Sequence, residues 1–172
     1  SDETFCPVLD AFSGAAVDTA IWTNLGGTAV SGGALTIVGG LGEFGVSSIA
    51  ALGIGAELRA RLTYTPGSTS YTEIGYGGDG SDYALLAYGT TLATHTRNGA
   101  TVESTTLALP AGYHTLAIRR ASASAVVVLI DGVAVATHDE QIPDAAVPIR
   151  IVSTYNIGAS MALDWIAVRP CL

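Results

Sequence analysis

The stretch from Tyr113 to Leu172 limits the possible folds most, because it reads as short strands joined by tight turns. Two apolar runs rich in β-branched residues, Ala125–Ile130 and Val133–His138, flank the dipeptide Asp131-Gly132. Glycine accepts the positive φ that a two-residue hairpin turn requires, so Asp-Gly between two such runs is a strong hairpin signal. The stretch therefore predicts an antiparallel hairpin, followed by a closing strand at Ala162–Val168.

The rest of the chain follows the same strand pattern. In Glu57–Thr65 apolar and polar residues alternate, which is the period of a half-exposed strand. No window of helical length shows a 3.6-residue apolar period, and 21 of the 172 residues are glycine. Further strands are predicted at Ala34–Val38, Ser70–Gly75, Asp82–Tyr88, Thr101–Leu109 and Tyr113–Arg120. About a dozen strands predict a single all-β domain over residues 1–172, a two-sheet antiparallel β-sandwich.

The net charge of −8 argues against a nucleic-acid partner, which would need a basic face. An acidic surface is compatible with binding neutral glycans or cations, and equally with simple solubility. No apolar run reaches the eighteen or so residues of a membrane span, and no signal peptide is visible. The sequence thus predicts a protein without a membrane span.

The two cysteines, Cys6 and Cys171, lie near opposite ends of the chain. A β-sandwich often pairs its first and last strands, so we expect these residues to form a disulfide. Such a bond implies an oxidising location: outside a cell, in a periplasm or on a virion surface. The alternative is two unpaired thiols in a cytosolic protein.

Four patches, taken in their order along the chain, resemble one known superfamily. Asp10-Ala11-Phe12 leads to Trp22, and Ser31–Ile37 reads SGGALTI. A hairpin pattern follows at His114–Val135, and the chain closes on Leu163–Val168, which reads LDWIAV. Together they resemble the concanavalin A-like lectin/glucanase superfamily, most closely the jelly roll of glycoside hydrolase family 16. The resemblance implies that the sandwich is a jelly roll.

The resemblance also implies a structural calcium ion. In family 16 the acid of the closing strand often binds Ca²⁺ together with two backbone carbonyls. Carried over residue by residue, these ligands are the side chain of Asp164 and the backbone oxygens of Ala11 and Gly33. Calcium prefers oxygen ligands of this kind, and an acid inside an apolar strand needs a partner. The alternative is that Asp164 caps a backbone N–H or pairs with an arginine.

The catalytic strand of that family carries Glu-x-Asp-x-x-Glu, which places a nucleophile and an acid/base beside one glycosidic bond. The matching stretch here keeps Glu73 but has Gly75 and Gly78 in the places of the other two acids. One carboxylate cannot fill both roles, so the sequence predicts no enzyme but a non-catalytic, laminin G-like form of the jelly roll. The three histidines show no metal-ligand spacing.

A glycan site needs flat aromatic faces and a few planar polar groups. Side chains of this kind lie on the middle strands, which form the concave face of the related jelly rolls. The candidate ligand-binding residues are Tyr71, Glu73, Tyr83, His95, Arg97 and Tyr155. Any single tyrosine among them is equally well explained as part of the core.

Two functions from different classes fit these features. The first is a non-catalytic carbohydrate-binding or adhesion module of a secreted or surface-exposed protein, with a glycan as its partner. The alternative is a structural assembly protein, such as a phage virion decoration or tail protein or a surface-fibre subunit, whose partners are neighbouring subunits. A mean hydropathy of +0.45 favours the second, because it suits burial against neighbours. Jelly rolls serve both purposes, and the sequence analysis favours the first.

Overall fold

A computed structural model describes residues 10–38, 42–65, 71–78, 81–88, 91–154 and 160–169. The described residues form fourteen β-strands. In chain order these are β1 (Trp22–Gly26), β2 (Thr28–Ser31), β3 (Ala34–Val38), β4 (Glu43–Leu52), β5 (Glu57–Thr65), β6 (Tyr71–Gly78), β7 (Ser81–Tyr88), β8 (Thr91–Asn98), β9 (Thr101–Leu107), β10 (His114–Ser122), β11 (Ala125–Ile130), β12 (Val133–His138), β13 (Val147–Thr154) and β14 (Ser160–Arg169).

The strands form two seven-stranded sheets in which every neighbouring pair is antiparallel. The first sheet has the order β1-β4-β13-β6-β7-β8-β9, and the second has the order β12-β11-β10-β5-β14-β3-β2. The two sheets pack face to face as a sandwich, which confirms the all-β, two-sheet prediction and is consistent with a jelly roll. Within the described part of the chain, no helix is long and apolar enough to cross a membrane.

The core lies between the sheets and is built from every second residue of the central strands. The first sheet contributes Ile74 from β6 and Ile151 from β13, and the second contributes Leu58 from β5 and Ile118 from β10. All four side chains are fully buried. Because strand side chains alternate between faces, the residues between them point outward on each sheet.

The segment before β1 is fixed by one acid. Asp10 accepts a hydrogen bond from the backbone N–H of Phe12 at 2.7 Å and another from Trp22 Nε1 at 2.9 Å. Asp10 also pairs with Ile166 of β14 through two backbone hydrogen bonds. Phe12 and Trp22 are both buried, so the Asp10 carboxylate holds two large aromatic side chains in the core.

The predicted hairpin is present with the predicted bounds. Asp131 and Gly132 have φ values of 50° and 81°, which both lie in the left-handed region that a primed turn requires. The turn joins β11 to β12 at the edge of the second sheet. By contrast, β4 and β13 were not predicted. β13 inserts between β4 and β6, and this pairing is distant in sequence.

Candidate functional site

The outer face of the first sheet carries a cluster of acids and cations near the middle of the sheet. Along β6, Ile74 and Tyr76 point into the core. Alternation therefore places Glu73, Gly75 and Gly77 on the opposite, outer face. β6 is the central strand of this sheet, with three strands on either side, so Glu73 lies far from both edges.

The register of β6, β7 and β8 brings further polar side chains beside Glu73. Asp82 of β7 lies opposite Gly77 on one side and opposite Arg97 of β8 on the other. His95 precedes Arg97 by two residues and therefore shares its face. We call Glu73, Asp82, His95 and Arg97 the Glu73 cluster.

The members of the Glu73 cluster lie close together, and three of them are in direct contact. One carboxylate oxygen each from Glu73 and Asp82 and one ring nitrogen of His95 lie within 4.8 Å of one another. His95 Nε2 contacts Asp82 Oδ1, and Arg97 Nη2 forms an ion pair with Asp82 Oδ2. Glu73, Asp82 and His95 are only 3%, 1% and 4% exposed. In such a dry site electrostatic interactions are stronger than in water.

Two buried nitrogen atoms of the cluster have open hydrogen-bonding capacity. Neither His95 Nδ1 nor Arg97 Nε has a hydrogen-bond partner among the described residues. Buried polar atoms are nearly always paired, so an exception needs an explanation. Such atoms are typical of a site that completes its hydrogen bonds with a ligand or an exchanged proton.

Gly77 provides the space in which the two acids meet. A Cβ atom at this position would lie 3.1 Å from Glu73 Oε1 and 3.1 Å from Asp82 Cβ. Any larger residue would therefore push the carboxylates apart. Sequence analysis missed Asp82 because it searched for the second acid along β6 alone. The signal was the hairpin register, which pairs Gly78 with Ser81 and so sets Asp82 opposite Gly77.

Arg150 of β13 borders the cluster on its other side. Its guanidinium forms an ion pair with Glu43 of β4, and its Cδ would lie 3.6 Å from a Cβ at Gly77. The side chains of Arg150 and Arg97 are 21% and 35% exposed. These two arginines therefore mark where the buried acids approach solvent.

Two carboxylates and an imidazole are also ligands that divalent transition metals accept. In this cluster the Asp82 carboxylate already lies between His95 and the Arg97 guanidinium. The positive charge of Arg97 opposes the binding of a cation at the same oxygens. The arrangement fits proton transfer better than metal coordination.

The structure unites three of the predicted ligand-binding residues and separates one. Glu73, His95 and Arg97 lie together in the cluster. Tyr83 instead points into the core, where its ring stacks on that of Tyr76 with the centroids 4.6 Å apart. Its ring is fully buried and presents no face to a sugar, as the alternative of a core tyrosine predicted. Burial raises the pKa of Tyr83 to about 12, as expected for a phenol between two sheets.

The remaining predicted residues lie outside what the structure describes. Tyr71 lies on β6, but its side chain is not among the described ones, and Tyr155 falls outside the described residues altogether. Cys6 and Cys171 also fall outside them. The disulfide and the extracellular or virion location that it implies stay predictions.

Asp164 has the arginine partner that the alternative to calcium predicted. Its carboxylate forms an ion pair with Arg61 of β5, across the bulge where β14 pairs with β5. Ala11 lies in the segment before β1, and Gly33 lies in the β2–β3 turn with a φ of 78°. A calcium ion held by Asp164, Ala11 and Gly33 stays a prediction, and it would compete with Arg61 for the carboxylate.

Several solved structures are similar to this chain over almost its whole length. A glycosyl hydrolase family protein from Mycobacterium fortuitum has a TM-score of 0.76 at 16% identity, covering 95% of this chain and 100% of the other. A glycosyl hydrolase family 16 protein from Mycobacterium smegmatis has a TM-score of 0.73 at 14% identity, covering 96% and 100%. A β-1,3-glucanase from Mycobacterium marinum has a TM-score of 0.73 at 18% identity, covering 95% and 99%. Neither a protein-family profile nor a curated protein matches the sequence.

These similarities confirm the resemblance to the fold of glycoside hydrolase family 16. They also correct two predictions. The expectation of a non-catalytic binding module, with a structural assembly protein as its alternative, is contradicted because the similar structures are named glucanases and glycosyl hydrolases. The expectation of no enzyme counted a single carboxylate on β6. It is contradicted by the same similar structures, and its premise fails because β7 brings Asp82 beside Glu73.

Proposed function

We propose that this protein is a glycoside hydrolase that cleaves β-glucan chains at the Glu73 cluster. The observation that carries the proposal is the meeting of Glu73, Asp82 and His95 within 4.8 Å on the outer face of the first sheet. The substrate class is taken from the β-1,3-glucanase among the similar structures. In our assignment Glu73 is the nucleophile, and Asp82 with His95 forms the proton-transfer pair.

The spacing of the acids favours a mechanism with retention of configuration. Retaining glycosidases hold their two carboxyl groups about 5 Å apart, whereas inverting enzymes leave about 6.5–9.5 Å for a water molecule. One carboxylate oxygen of Glu73 and one of Asp82 come within 4.8 Å of each other, which is closer to the retaining spacing than to the inverting one. Glu73 would attack the anomeric carbon, and water would then hydrolyse the glycosyl–enzyme ester.

The His95–Asp82 contact supplies the proton that the leaving oxygen needs. The contact between Asp82 Oδ1 and Nε2 fixes the orientation of the His95 ring. The second ring nitrogen, Nδ1, has no hydrogen-bond partner among the described residues. It is therefore the atom of this pair that can give a proton to the leaving group and take one from the attacking water.

Arg97 completes the arrangement by holding Asp82. Its guanidinium pairs with Asp82 Oδ2, so Oδ1 stays turned toward His95. A group that is held in place before reaction does not have to reorganise as charge develops, and this lowers the barrier. Arg97 is thus a positioning residue in this mechanism.

The test is to incubate the full chain with a linear β-1,3-glucan and a mixed-linkage β-1,3-1,4-glucan and to measure new reducing ends. Glu73→Gln removes the nucleophile and is expected to lower the rate about a thousandfold or more, with the fold intact by circular dichroism. The first product from the wild type should have the β configuration when it is followed by NMR.

Glu43→Gln is the matched control. Glu43 is an acid on the same face, but it pairs with Arg150 and stands outside the cluster, so its loss should leave the rate within about twofold. Two results would overturn the proposal: no release of reducing ends from either glucan, or equal rates for Glu73→Gln and the wild type.

A further inference from the structure

The outer face of the second sheet carries a separate group of charges, formed by Glu57, Arg59, Arg119 and Arg169. We call this group the Glu57 cluster. Arg59 Nε donates to Glu57 Oε1 at 2.6 Å, while Arg119 Nε and Arg169 Nη2 donate to Glu57 Oε2 at 2.5 and 2.8 Å. The strand register explains the convergence, because Arg119 and Arg169 lie opposite Glu57 on its two neighbouring strands.

The side chains of this cluster are exposed to different degrees, and the arginines are more exposed than the acid. The side chain of Glu57 is 0% exposed, whereas those of Arg59 and Arg119 are 38% and 40% exposed. The acid is therefore covered by its partners, and the surface that solvent meets here is cationic. This stands out in a chain with seven basic and fifteen acidic residues.

Arg119 keeps hydrogen-bond donors for a ligand. Its Nε donates to Glu57, but its two Nη groups have no acceptor among the described residues. An arginine side chain carries five N–H donors in a planar fork, which matches the paired oxygens of a carboxylate, sulfate or phosphate. Arg119 also lines the space beside the cluster.

That space is a cavity of about 140 Å³ beside the cluster. One water molecule accounts for about 30 Å³, so the cavity has room for a small oxyanion. Its walls combine the charged residues with a hydroxyl group, a glycine and apolar side chains. The lining residues are Glu57, Arg59, Thr115, Ala117, Arg119, Leu129 and Gly132.

Asp131 precedes the cavity-lining residue Gly132 in the chain and already has hydrogen-bond partners. Its Oδ1 accepts the backbone N–H of Thr115 at 2.8 Å, and its Oδ2 contacts His114 Nδ1 at 2.6 Å. Both oxygens of the Asp131 carboxylate therefore have hydrogen-bond partners on β10. Of the carboxylates at this place, Glu57 is covered by arginines, and Asp131 is hydrogen-bonded to His114 and to the backbone of Thr115.

We propose that this cavity is an oxyanion-binding site, with Arg119 and Arg59 as its guanidinium ligands and Thr115 as a hydroxyl donor. The ligand is a sulfate or phosphate ion, or the sulfate ester or carboxylate of an acidic glycan. Arginine forks bind such groups through paired N–H donors. The site lies on the opposite face of the sandwich from the Glu73 cluster and does not rest on the proposed glycosidase activity.

The test is a titration of the full chain with sodium sulfate, by isothermal calorimetry and by Tm, at constant ionic strength set with sodium chloride. Sulfate stabilises many proteins without binding them, so saturation and the difference between variants are the readouts. The wild type should show a saturable response. Arg119→Gln should weaken sulfate binding roughly tenfold or more.

Arg61→Gln is the matched control, because Arg61 lies on the same face but pairs with Asp164 and does not line the cavity. It should bind sulfate like the wild type, and so should Glu73→Gln, which separates this proposal from the proposed enzyme. Equal responses to sulfate and chloride would overturn the site, as would unchanged sulfate binding by Arg119→Gln.

A second titration compares a sulfated β-glucan oligosaccharide with its unsulfated form. Much tighter binding of the sulfated oligosaccharide than of inorganic sulfate would identify an acidic glycan as the source of the oxyanion. Equal binding of the two would identify a free ion. In both cases Arg119→Gln must lose the binding for the site to stand.

Discussion

Each sheet of the sandwich carries a buried acid on its outer face, Glu57 on the second sheet and Glu73 on the first. The two residues are 0% and 3% exposed, so both are buried. Glu57 accepts hydrogen bonds from three guanidinium groups, which satisfy both of its oxygens. Glu73 instead meets a second acid and an imidazole, and that imidazole has an unpartnered nitrogen.

The difference separates a carboxylate that stabilises the fold from one that is available for chemistry. Burial raises the pKa of Glu57, but the hydrogen bonds from Arg119, Arg59 and Arg169 more than offset this, so the pKa lies below its usual value. Because arginines occupy both of its oxygens, the Glu57 carboxylate is not available as a nucleophile or as a base. Acids that lie within 4.8 Å of each other and of an imidazole with an unpartnered nitrogen are instead typical of functional sites.

The loss of activity in Glu73→Gln is the largest effect that we expect. The next largest is a loss of stability in Glu57→Gln. This change removes the charge that holds three arginines together and should lower the free energy of unfolding by about 2 kcal/mol, with glucan cleavage unchanged. Because the pKa of Glu57 is lowered when folded, its contribution is present above the unfolded value of 4.5 and is lost as the pH falls through the folded value. Urea unfolding of both proteins at pH 7 and pH 3 measures this.

The difference in stability between wild type and Glu57→Gln should therefore shrink at the lower pH. Glu43→Gln is the control on the first sheet, because its exposed pair with Arg150 should contribute less than about 0.5 kcal/mol. Equal stability of Glu57→Gln and the wild type at pH 7 would show that Glu57 does not stabilise the fold.

A smaller effect is expected for Gly77→Ala. The added Cβ would lie 3.1 Å from both Glu73 Oε1 and Asp82 Cβ, so the two acids must shift by several tenths of an ångström. Small displacements of reacting groups slow catalysis strongly, and we expect about a tenfold lower rate of glucan cleavage with little loss of stability. Initial rates and Tm of the two proteins measure this.

Gly53→Ala is the control for that change, because the nearest atom to its added Cβ is 3.8 Å away, an ordinary contact. It should leave the rate unaltered. A Gly77→Ala variant with the full wild-type rate would show that the approach of Glu73 to Asp82 is not needed for cleavage.

The smallest effect is expected at the His114–Asp131 pair beside the Glu57 cluster. The hydrogen bond that His114 Nδ1 donates to the Asp131 carboxylate raises the pKa of His114, burial lowers it, and the Pro110 carbonyl adds to the rise; His114 in turn lowers the pKa of Asp131. The pair therefore stabilises the fold fully between pH 4 and 6.5, and this is lost as the pH rises through the folded pKa of His114.

His114→Gln should lower the Tm by at most about 2 °C at pH 5.5 and by less at pH 8.5. Asp131→Asn should reproduce the same pH dependence, because it removes the partner of the same imidazole. A Tm difference that grows from pH 5.5 to pH 8.5 would contradict the assigned pair.

Strands with local signals could be predicted from the sequence. β3, β5, β11 and β12 have the predicted bounds, because strict alternation or an Asp-Gly turn marks them. β13 could not be predicted in this way. It begins Val147-Pro148 and is defined by its pairing with β4 and β6, which lie some seventy to a hundred residues earlier in the chain.

The candidate site was only half visible from the sequence. Glu73, His95 and Arg97 were selected as polar groups on middle strands, and the structure brings them together. Asp82 was missed because its relation to Glu73 depends on the register of two strands. Tyr83 was chosen as an aromatic residue on a middle strand, but a place on a strand does not say which of the two faces is the inner one.

The sequence by itself determined that this chain is an all-β sandwich, because strand period and turn chemistry are properties of neighbouring residues. Only the tertiary structure decided which acid is structural and which lies in a candidate active site. Glu57 and Glu73 each occupy an alternating strand and look alike in the sequence. Their roles differ because strand pairing surrounds one with arginines and brings the other against Asp82 and His95.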